Sequence, residues 1–408
     1  MLTLANVPQH KRAKARILHT EVGGTYGGSV RALELYLQFA DRTRFEHDVL
    51  FYYPTPGTED ICSRAGKVYV LNDSLPESMI SPRSDRGLVN VLKRSPSLKS
   101  TLTKGLSWLQ IIREMPTAYR LRKLLNAGSY DLVHINNTFG YQPAMVIASR
   151  WARIPAVSHV RNPVPDSLLN RALIRRLDMV VTVSKNYEDQ LRGWSTPVPV
   201  HTCHDGVIVR EVNSTSVSQI RARFAPRGEF LIGSVGRLHP QKGYDLLVRA
   251  ARCIIDQRPE VRVLIVGEGP MRTELEGLIR SLSLSGLVQL CGFRNDIPDF
   301  ISALDLFVSS SRWEGLPIAL VEAMLLKRPV VATDVGGVSE VVKPGETGYL
   351  LPPGDPNVLA KCVLQALDET GQKPHPFLDR AFRLAAKVTD PEASARSFEQ
   401  CVDKILRN

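Results

Sequence analysis

The stretch Ser310–Met324 reads Ser-Ser-Arg-Trp-Glu-Gly-Leu-Pro-Ile-Ala-Leu-Val-Glu-Ala-Met, and its pattern predicts the end of a strand, a loop and a helix. The apolar run that begins at Leu304 is typical of a buried strand. Pro317 suits the first position of a helix, and apolar residues recur at helical spacing after it. Glu314 is therefore expected in the loop, and Glu322 about two turns inside the helix.

These two glutamates are eight positions apart, and a helical rise of about 1.5 Å per residue separates them by about 10 Å. This distance is too wide for two carboxylates that share a proton or flank one bond. It suits one elongated ligand held at both ends, with a phosphate at the helix N-terminus between them. The pattern suggests a nucleotide diphosphate with a hydroxylated group at each end. The alternative is a solvated loop glutamate and a surface helix glutamate.

Length and composition bound the class of protein. A chain of 408 residues exceeds what one hydrophobic core usually serves, so two domains are expected. The net charge of +11 points to nucleic acid, a membrane or an anionic small molecule as partner. No nucleic-acid-binding module is recognisable, so no nucleic-acid partner is expected. The six cysteines are scattered without a Cys-x-x-Cys pair, which is typical of free thiols in a reducing compartment.

Neither a signal peptide nor an apolar run of membrane-spanning length is visible. We therefore expect a cytoplasmic protein that touches the inner face of the membrane peripherally. The segment 81–126 favours this, because it carries ten lysines and arginines against two acidic residues, with Trp108 and aliphatic residues between the charges. A basic amphipathic helix can lie on anionic lipid. The alternative is a solvated helix face with core contacts.

Strand and helix patterns alternate along the chain, which predicts an α/β fold with parallel sheets and crossover helices. The polar stretch Arg210–Arg227 is typical of a domain boundary. We predict a first domain over residues 1–208, a second over 209–385, and a C-terminal segment at 386–408. In that segment, Pro391–Leu406 has the pattern of one amphipathic helix.

Arg237 and Lys242 lie in the short loop Gly236–Gly243, directly after the first strand pattern of the second half. Open α/β sheets bind ligands at the carboxyl ends of their strands. Arginine can hold a phosphate with two N–H groups, and lysine adds a point charge. Together with Glu314 and Glu322, these cations predict a diphosphate site. A polar surface turn is the alternative for the loop alone.

Two features of the first half are also candidates. Glycines at positions 23, 24, 27 and 28 separate the first strand from the first helix, where a backbone without side chains can approach an anion at the helix N-terminus. Their spacing matches neither Gly-x-Gly-x-x-Gly nor a P-loop, and a turn without a ligand is the alternative. His159 ends a strand pattern, where it either contacts substrate or serves as a structural hydrogen bonder.

The sequence contains no recognisable metal-binding motif. No cysteine and histidine set has metal-ligand spacing, and no Asp-x-Asp follows a strand. Arg237, Lys242 and helix dipoles are able to neutralise a leaving diphosphate. Neither a metal nor another cofactor is therefore expected.

Taken together, these residues resemble the retaining glycosyltransferases of the GT-B fold, in the large family numbered four, also called glycosyl transferases group 1. The resemblance covers essentially the whole second half. Its motifs there are Gly236-Arg237…Lys242-Gly243, Val266-Gly-Glu-Gly-Pro270, Cys291-Gly292-Phe293, Ser309-Ser-Ser-Arg-Trp-Glu314, Glu314-(seven residues)-Glu322, Thr333-Asp-Val-Gly-Gly337, Glu340-Val-Val, Gly345-Glu-Thr-Gly-Tyr-Leu350 and Gly354-Asp355. The first half matches more loosely, through the glycine loop, Val157-Ser-His159, Thr182-Val-Ser184 and Asp205-Gly206-Val207.

The resemblance implies two Rossmann-like domains facing across a deep cleft, a nucleotide-sugar donor bound mainly by the second domain, and a C-terminal helix that returns to the first. The implied residue roles follow the donor from one end to the other. Glu314 and His159 would contact the transferred sugar, Glu322 the ribose, and Gly292 and Arg294 the base. The diphosphate would be bound by Arg237, Lys242, Gly315 and the Leu316 N–H. The first domain would add either Gly27 with Gly28 or Gly23 with Gly24 to the diphosphate site.

The implied activity is transfer of a sugar, with retention and without a metal, from a UDP- or GDP-sugar to a glycan, a lipid-linked acceptor or a small molecule. In the front-face route, the leaving phosphate takes the acceptor proton, and fixed cations stabilise the charge that develops on it. Two alternatives belong to other classes. One is a sugar-nucleotide 2-epimerase of the same overall fold, and the other is a non-catalytic binding module that keeps the fold.

Removing the positive charges of Lys93, Arg94 and Lys99 is expected to reduce binding to anionic lipid vesicles, because each basic group near an anionic surface contributes about 1 kcal/mol of attraction. The measurement is co-sedimentation of the wild type and the triple variant with vesicles that contain phosphatidylserine. Unchanged sedimentation would remove the membrane hypothesis for this segment.

Overall fold

The computed structural model describes residues 14–24, 27–72, 96–370 and 377–407, with the backbone alone at 96–110 and at 370. Lys93, Arg94 and the side chain of Lys99, on which the membrane prediction depends, lie outside the described residues. Two parallel sheets with helices between successive strands form the chain. The predicted α/β architecture is therefore confirmed.

Each half of the chain contributes one sheet. The strands of the first sheet are β1 (Ala15–Gly23), β2 (Phe45–Tyr53), β3 (Val68–Val70), β4 (Leu132–Ile135), β5 (Ala156–Val160), β6 (Met179–Thr182) and β7 (Val200–Thr202). The strands of the second sheet are β8 (Phe230–Val235), β9 (Val261–Val266), β10 (Val288–Leu290), β11 (Leu306–Ser309), β12 (Val330–Thr333) and β13 (Tyr349–Leu351). Their spatial orders are β3-β2-β1-β4-β5-β6-β7 and β10-β9-β8-β11-β12-β13.

Helices connect the strands and continue beyond the second sheet. The described helices are α1 (Gly28–Phe39), α2 (Glu59–Arg64), α3 (Pro96–Gly128), α4 (Pro143–Ala152), α5 (Leu168–Ile174), α6 (Lys185–Arg192), α7 (Ser214–Phe224), α8 (Tyr244–Gln257), α9 (Arg272–Ser281), α10 (Ile297–Ala303), α11 (Ile318–Leu325), α12 (Val338–Val341), α13 (Pro356–Thr370), α14 (Leu378–Val388) and α15 (Pro391–Leu406). None of them combines the length and apolar character that a membrane crossing requires.

The strand order creates a crevice in each half. In the first sheet β1 lies between β2 and β4, and in the second β8 lies between β9 and β11, so the sheet grows in both directions from its first strand. The loops that leave two such neighbouring strands diverge to opposite faces, and ligands bind in the opening between them. Strands β11 and β12 are buried at every position, which explains their continuous apolar runs.

One local prediction differs from the structure, and one segment contains an element that was not predicted. Arg210–Arg227, the expected domain boundary, contains α7. Asn213 caps this helix, since its side-chain oxygen accepts from the N–H groups of Thr215 and Ser216 at 3.0 and 3.2 Å, so a run that resembles a linker also starts a helix. Pro317 was expected at the first helical position and instead precedes it, because its ψ of 98° is extended.

The final helix, α15, has the predicted bounds and packs on the first sheet. Phe398 and Val402 share a buried cluster with Ile17 of β1 and Val157 of β5. The backbone N–H of Asp41 donates to a carboxylate oxygen of Glu399 at 2.7 Å. The last described helix thus packs on the first domain, whereas α14 packs on the second domain against α11 and α12.

Under this helix lies a layer of buried histidines. The Nδ1 atoms of His19 and His134 are 2.8 Å apart, and Nε2 of His19 is 3.0 Å from Nδ1 of His47. The ring of His159 stacks on Phe398 of α15. Burial lowers the pKa of His19, His134 and His159 well below the ordinary value, and lowers the pKa of His47 to about 3.

Acidification is expected to destabilise the protein through this layer. A histidine whose folded pKa is depressed gives its full stability above the unfolded pKa and loses it as pH falls, because the unfolded chain binds more protons. Between about pH 7.5 and about pH 5.5, one such group should lower the free energy of unfolding by about 1 kcal/mol. The measurement is the urea midpoint of the wild type and of His47→Gln at both pH values. The variant should lose less stability on acidification, and an equal loss in both proteins would contradict the prediction.

Candidate active site

Two loops lie side by side at the carboxyl edge of the second sheet. Strand β8 ends at Val235 and leads into the loop Gly236–Gly243, and β11 ends at Ser309 and leads into the loop before α11. Since β8 and β11 pair in parallel, with Leu306 opposite Ile232, their carboxyl ends meet at one place. This place is the crevice where such sheets bind ligands.

Close backbone contacts fix the two loops to each other. The hydroxyl of Ser310 donates to the carbonyl of Lys242 at 2.9 Å, and the N–H of Arg312 donates to the carbonyl of Gln241 at 2.7 Å. Gly243 has φ +61°, and a Cβ there would lie 2.1 Å from the carbonyl oxygen of Ser310. The glycine is therefore required both by its backbone angle and by the approach of the second loop.

Glu314 is buried at the meeting point of these loops, with 4% of its surface exposed. One carboxylate oxygen lies 2.7 Å from Nζ of Lys242 and accepts from the Ser311 hydroxyl at 2.6 Å. The other accepts from Nε2 of Gln241 at 3.3 Å. Arg237 is exposed and makes no ion pair with any residue that the structure describes. The structure thus joins two predicted site residues, Glu314 and Lys242, in one contact.

Glu322 lies on α11 and is 3% exposed. Oε1 of its carboxylate is 2.7 Å from Nη1 of Arg31, which belongs to α1 of the first domain. Burial raises the pKa of Glu322, and the positive charges of Arg31 and Arg210 oppose that effect. Sequence reasoning missed Arg31. The available signal was a cation in the first helical turn after Gly28, at a helix N-terminus already expected to face the ligand.

The glycine loop of the first domain faces the same helix. A Cβ on Gly28 would lie 3.4 Å from Cδ1 of Ile318, at the start of α11. Gly23 instead serves a turn within its own domain, because it has φ +76° and a Cβ there would lie 2.4 Å from Oγ1 of Thr55. This placement favours Gly27 with Gly28, rather than Gly23 with Gly24, as the pair nearer the second domain.

The other predicted residues of the second domain lie around this core. Gly315 packs against the first domain, since a Cβ there would lie 2.6 Å from the carbonyl oxygen of Arg161, and Leu316 is buried beside it. Gly292 follows β10 with φ +74° and bridges to Gly267, which follows β9. Arg294 is exposed and pairs with Asp296 at 2.7 Å. Gly292 and Arg294 therefore flank the crevice from the edge strand and do not contact Glu314 or Glu322.

His159 is buried in the first domain, and its described contacts are with residues of the first domain and of α15. Its Nδ1 is 3.2 Å from Nη2 of Arg161, and its Nε2 is 3.9 Å from Asp205. Arg161 holds Asp205 with two hydrogen bonds, at 2.8 and 3.0 Å. Contact between His159 and a transferred sugar stays a prediction.

A third buried carboxylate lies at the carboxyl end of β1. Glu21 accepts from the side-chain amide of Asn136 at 2.7 Å and from the amide of Asn137 at 3.3 Å. Burial raises its pKa, and these amides and Arg161 act against the rise. Sequence reasoning did not single out this residue, because a glutamate at a strand end has no motif around it. Across the described residues, no three histidine, cysteine or acidic side chains are grouped to hold a metal ion.

Two family profiles match the chain, one in each half. Residues 27–211 match the family described as Glycosyltransferase Family 4, and residues 217–382 match the family described as Glycosyl transferases group 1. The first match begins after β1 and ends just before α7, and the second begins within α7, so each match lies in a different half of the chain.

Two relatives of the chain are named as glycosyltransferases. An alpha-D-kanosaminyltransferase of Streptomyces kanamyceticus is 34% identical over 154 residues, which are 37% of this chain and 40% of that protein. A UDP-Gal:alpha-D-GlcNAc-diphosphoundecaprenol alpha-1,3-galactosyltransferase of Escherichia coli is 25% identical over 66% of this chain and 74% of that protein. The alignment with the first of these spans less than half of the relative's length.

Solved structures share the whole fold. The crystal structure of Anabaena HepE in complex with UDP and glucose has a TM-score of 0.75, at 21% identity, over 96% of this chain and all of that one. Sucrose-phosphate synthase of Thermosynechococcus elongatus has a TM-score of 0.73, at 19% identity, over 97% of this chain and all of that one. With both halves matched by family profiles and both sheets matched by these structures, the chain belongs to the group 1 glycosyltransferases and has the GT-B fold.

Proposed function

We propose that this glycosyltransferase moves a sugar from a UDP- or GDP-sugar to an acceptor, with retention at the anomeric carbon and without a metal or another cofactor. The observation that carries the proposal is the contact of Lys242 with Glu314 at 2.7 Å. It brings together a cation suited to a phosphate and a carboxylate suited to sugar hydroxyls. In a nucleotide-sugar donor, the sugar is bonded directly to the diphosphate, so the groups that bind them should also lie side by side.

The donor is proposed to lie along the crevice of the second domain. Glu314 takes the transferred sugar, Arg237 and Lys242 take the diphosphate, and Glu322 takes the ribose hydroxyls. The Leu316 N–H, with Gly315 beside it, adds a donor to phosphate near the start of α11, where unpaired N–H groups favour an anion. The remaining proposed contacts are Gly27 and Gly28 from the first domain, the base beside Gly292 and Arg294, and His159 near the anomeric carbon.

The proposed reaction depends mainly on stabilising the negative charge that develops on the leaving phosphate. Leaving-group departure breaks the bond between the anomeric carbon and the phosphate oxygen, and that oxygen gains negative charge. Fixed cations at Arg237 and Lys242 stabilise this charge where it develops. The acceptor oxygen bonds to the anomeric carbon from the same face, and the leaving phosphate takes its proton. Exclusion of water between the two domains protects the donor from hydrolysis.

The acceptor is proposed to be a glycan, a lipid-linked sugar or a small molecule bound by the first domain. The galactosyltransferase relative from Escherichia coli is named for a diphosphoundecaprenol acceptor, and the kanosaminyltransferase relative is named for the sugar it transfers. No relative or structure cited above is described as an epimerase. The 2-epimerase alternative therefore gains nothing from these comparisons, and conversion at C2 with donor alone would be its signature.

Contact with an anionic membrane at its inner face is proposed through α3. Ile112, Met115 and Tyr119 are 64%, 38% and 53% exposed, and their spacing places them on one face of the helix. Arg122 and Lys123 are exposed beside them. An exposed apolar stripe with flanking cations suits the boundary between lipid headgroups and acyl chains.

Thermal unfolding in the presence of a donor panel tests the proposed function. A ligand that binds only the folded state raises the midpoint temperature of unfolding. At a free ligand concentration of one hundred times its Kd, it adds about 2.7 kcal/mol to the free energy of unfolding. We expect a UDP-sugar or a GDP-sugar to raise the midpoint, and an ADP-sugar to do so less. The same donor should then lose its sugar to an acceptor with the anomeric configuration kept. No shift with any sugar nucleotide, or an inverted product, would contradict the proposal.

Substitutions at Glu322 and Arg237 should have different effects, the first on donor binding and the second on kcat. Glu322→Ala removes the proposed ribose contact and should weaken donor binding by about tenfold to a hundredfold, the usual effect of losing a charge-assisted hydrogen bond. Arg237→Ala should lower kcat more than it raises the donor KM, because the phosphate gains charge in the transition state. Lys361→Ala, an exposed change on α13, is the control. Wild-type kinetics in both site variants would show that the residue assignment is wrong.

A further inference from the structure

The side chain of Arg31, on α1 of the first domain, contacts the buried carboxylate of Glu322 in the second domain. Nη1 of its guanidinium lies 2.7 Å from Oε1 of Glu322, and Nη2 donates to the carbonyl of Ile208 at 2.9 Å. Ile208 lies between the last strand of the first sheet and α7. One side chain therefore contacts α11 and the segment that joins the two domains, while its own backbone belongs to α1.

The position of Arg31 is set by the glycine loop. Its backbone N–H donates to the carbonyl of Gly27 at 3.0 Å, which is the first hydrogen bond of α1. Gly28, one residue after Gly27, faces Ile318 across the domain boundary. Gly27, Gly28 and Arg31 thus lie in the first turn of α1 and its cap, which faces the first turns of α11.

The carboxylate that Arg31 contacts has unused acceptor capacity. Oε1 of Glu322 is buried, and its described polar contact is Nη1 of Arg31, 2.7 Å away. An ionised carboxylate has about four acceptor positions on its two oxygens. With Arg31 as its described partner, the carboxylate as a whole keeps acceptor positions for the hydroxyl groups of a sugar.

We propose that Arg31 is a positioning residue of the donor site, which holds the Glu322 carboxylate in the orientation that accepts the ribose hydroxyls of the donor. The inference rests on the proposed function, in which Glu322 takes the ribose. It adds that the first domain contributes to nucleotide affinity through a side chain that does not itself contact the nucleotide.

The electrostatics of the crevice give Arg31 this role. A carboxylate as deeply buried as Glu322 is not solvated by water, and it stays ionised only with a cation nearby. Two cations face it, Arg31 from α1 and the more distant Arg210 from the segment that joins the domains. Burial raises the pKa of Glu322 and both cations oppose it, so loss of Arg31 raises that pKa further. A protonated Glu322 would donate one hydrogen bond where the diol needs acceptors.

The arrangement also couples the ligand to the relation between the domains. Arg31 reaches Glu322 only when α1 lies against α11, as it does in this structure. A nucleotide that binds the paired carboxylate favours this arrangement over one in which the domains have separated.

The test is isothermal titration of the full chain with UDP and with GDP at about pH 8 and about pH 6. The variants are Arg31→Gln, Arg31→Lys, Glu322→Gln and the double variant Arg31→Gln/Glu322→Gln. Arg64→Gln is the matched control, because Arg64 pairs with Asp60 within one helix of the same domain. Each variant's unliganded thermal midpoint reports whether it folds as the wild type does.

Arg31→Gln should weaken binding of the nucleotide by about tenfold at pH 8, the range expected for loss of a charged contact. The ratio of wild-type to variant affinity should be larger at pH 6, since Glu322 becomes protonated in the variant as pH falls through its higher pKa. The ratio cancels the titration of the nucleotide phosphate. Arg31→Lys should restore most of the affinity, and the double variant should bind no more weakly than Glu322→Gln.

Three results would overturn the inference, and they can be told apart. If Glu322→Gln weakens binding but Arg31→Gln binds both nucleotides as the wild type does at both pH values, Arg31 has no positioning role and the proposed donor site stands. If Glu322→Gln also binds as the wild type does, the proposed donor site itself is wrong. An effect of Arg31→Gln that adds fully to that of Glu322→Gln would likewise show that the two side chains act independently, against the inference.

Discussion

Two buried carboxylates at the edge of the second sheet impose the constraint on which the rest of the site depends. Glu314 and Glu322 have almost no contact with solvent, and an ionised carboxylate in such a place is stable only when a cation and hydrogen-bond donors compensate for the lost water. Each has a cation from a different segment of the chain, Lys242 for Glu314 and Arg31 for Glu322. Each buried carboxylate of the crevice is thus stabilised by a cation from another segment of the chain.

The glycines of the site follow from this constraint. Lys242 reaches Glu314 only because its loop lies against the loop after β11, and that approach leaves no room for a Cβ at Gly243. A similar restriction acts between Gly267 and the carbonyl oxygen of Gly236, where a Cβ would lie 2.1 Å away. The carboxyl ends of β8, β9 and β11 therefore meet through bare backbone, and the functional side chains project from between these contacts.

The fold and half of the site were predictable because their signals are local. Alternating strand and helix patterns gave the parallel sheets, and the spacing of Glu314 and Glu322 placed one in a loop and one on a helix, where the structure has them. The sequence also assigned Lys242 and Glu314 to one ligand site, although not their direct contact, which depends on β8 and β11 being neighbours. Each of these inferences needed only a short window of sequence and the rule that parallel strands share one carboxyl edge.

What escaped prediction depends on contacts between distant segments. Arg31 and Glu322 lie in different domains, and nothing within either helix indicates that the other approaches it. The choice between Gly27 with Gly28 and Gly23 with Gly24 depended on the packing of Gly23 against Thr55, which belongs to the loop after β2. The helix within Arg210–Arg227 was hidden because a capping asparagine and a linker asparagine look alike in sequence.

His159 lies where the requirements of the site and of the fold meet. On one side it contacts Arg161, which holds Asp205, and on the other it stacks on Phe398 of α15. Loss of its ring would therefore disturb the layer that fixes the final helix as well as any contact with a sugar. A fall in activity on substitution would not by itself assign a catalytic role. Only a loss of kcat with an unchanged unfolding midpoint would separate the sugar contact from the packing.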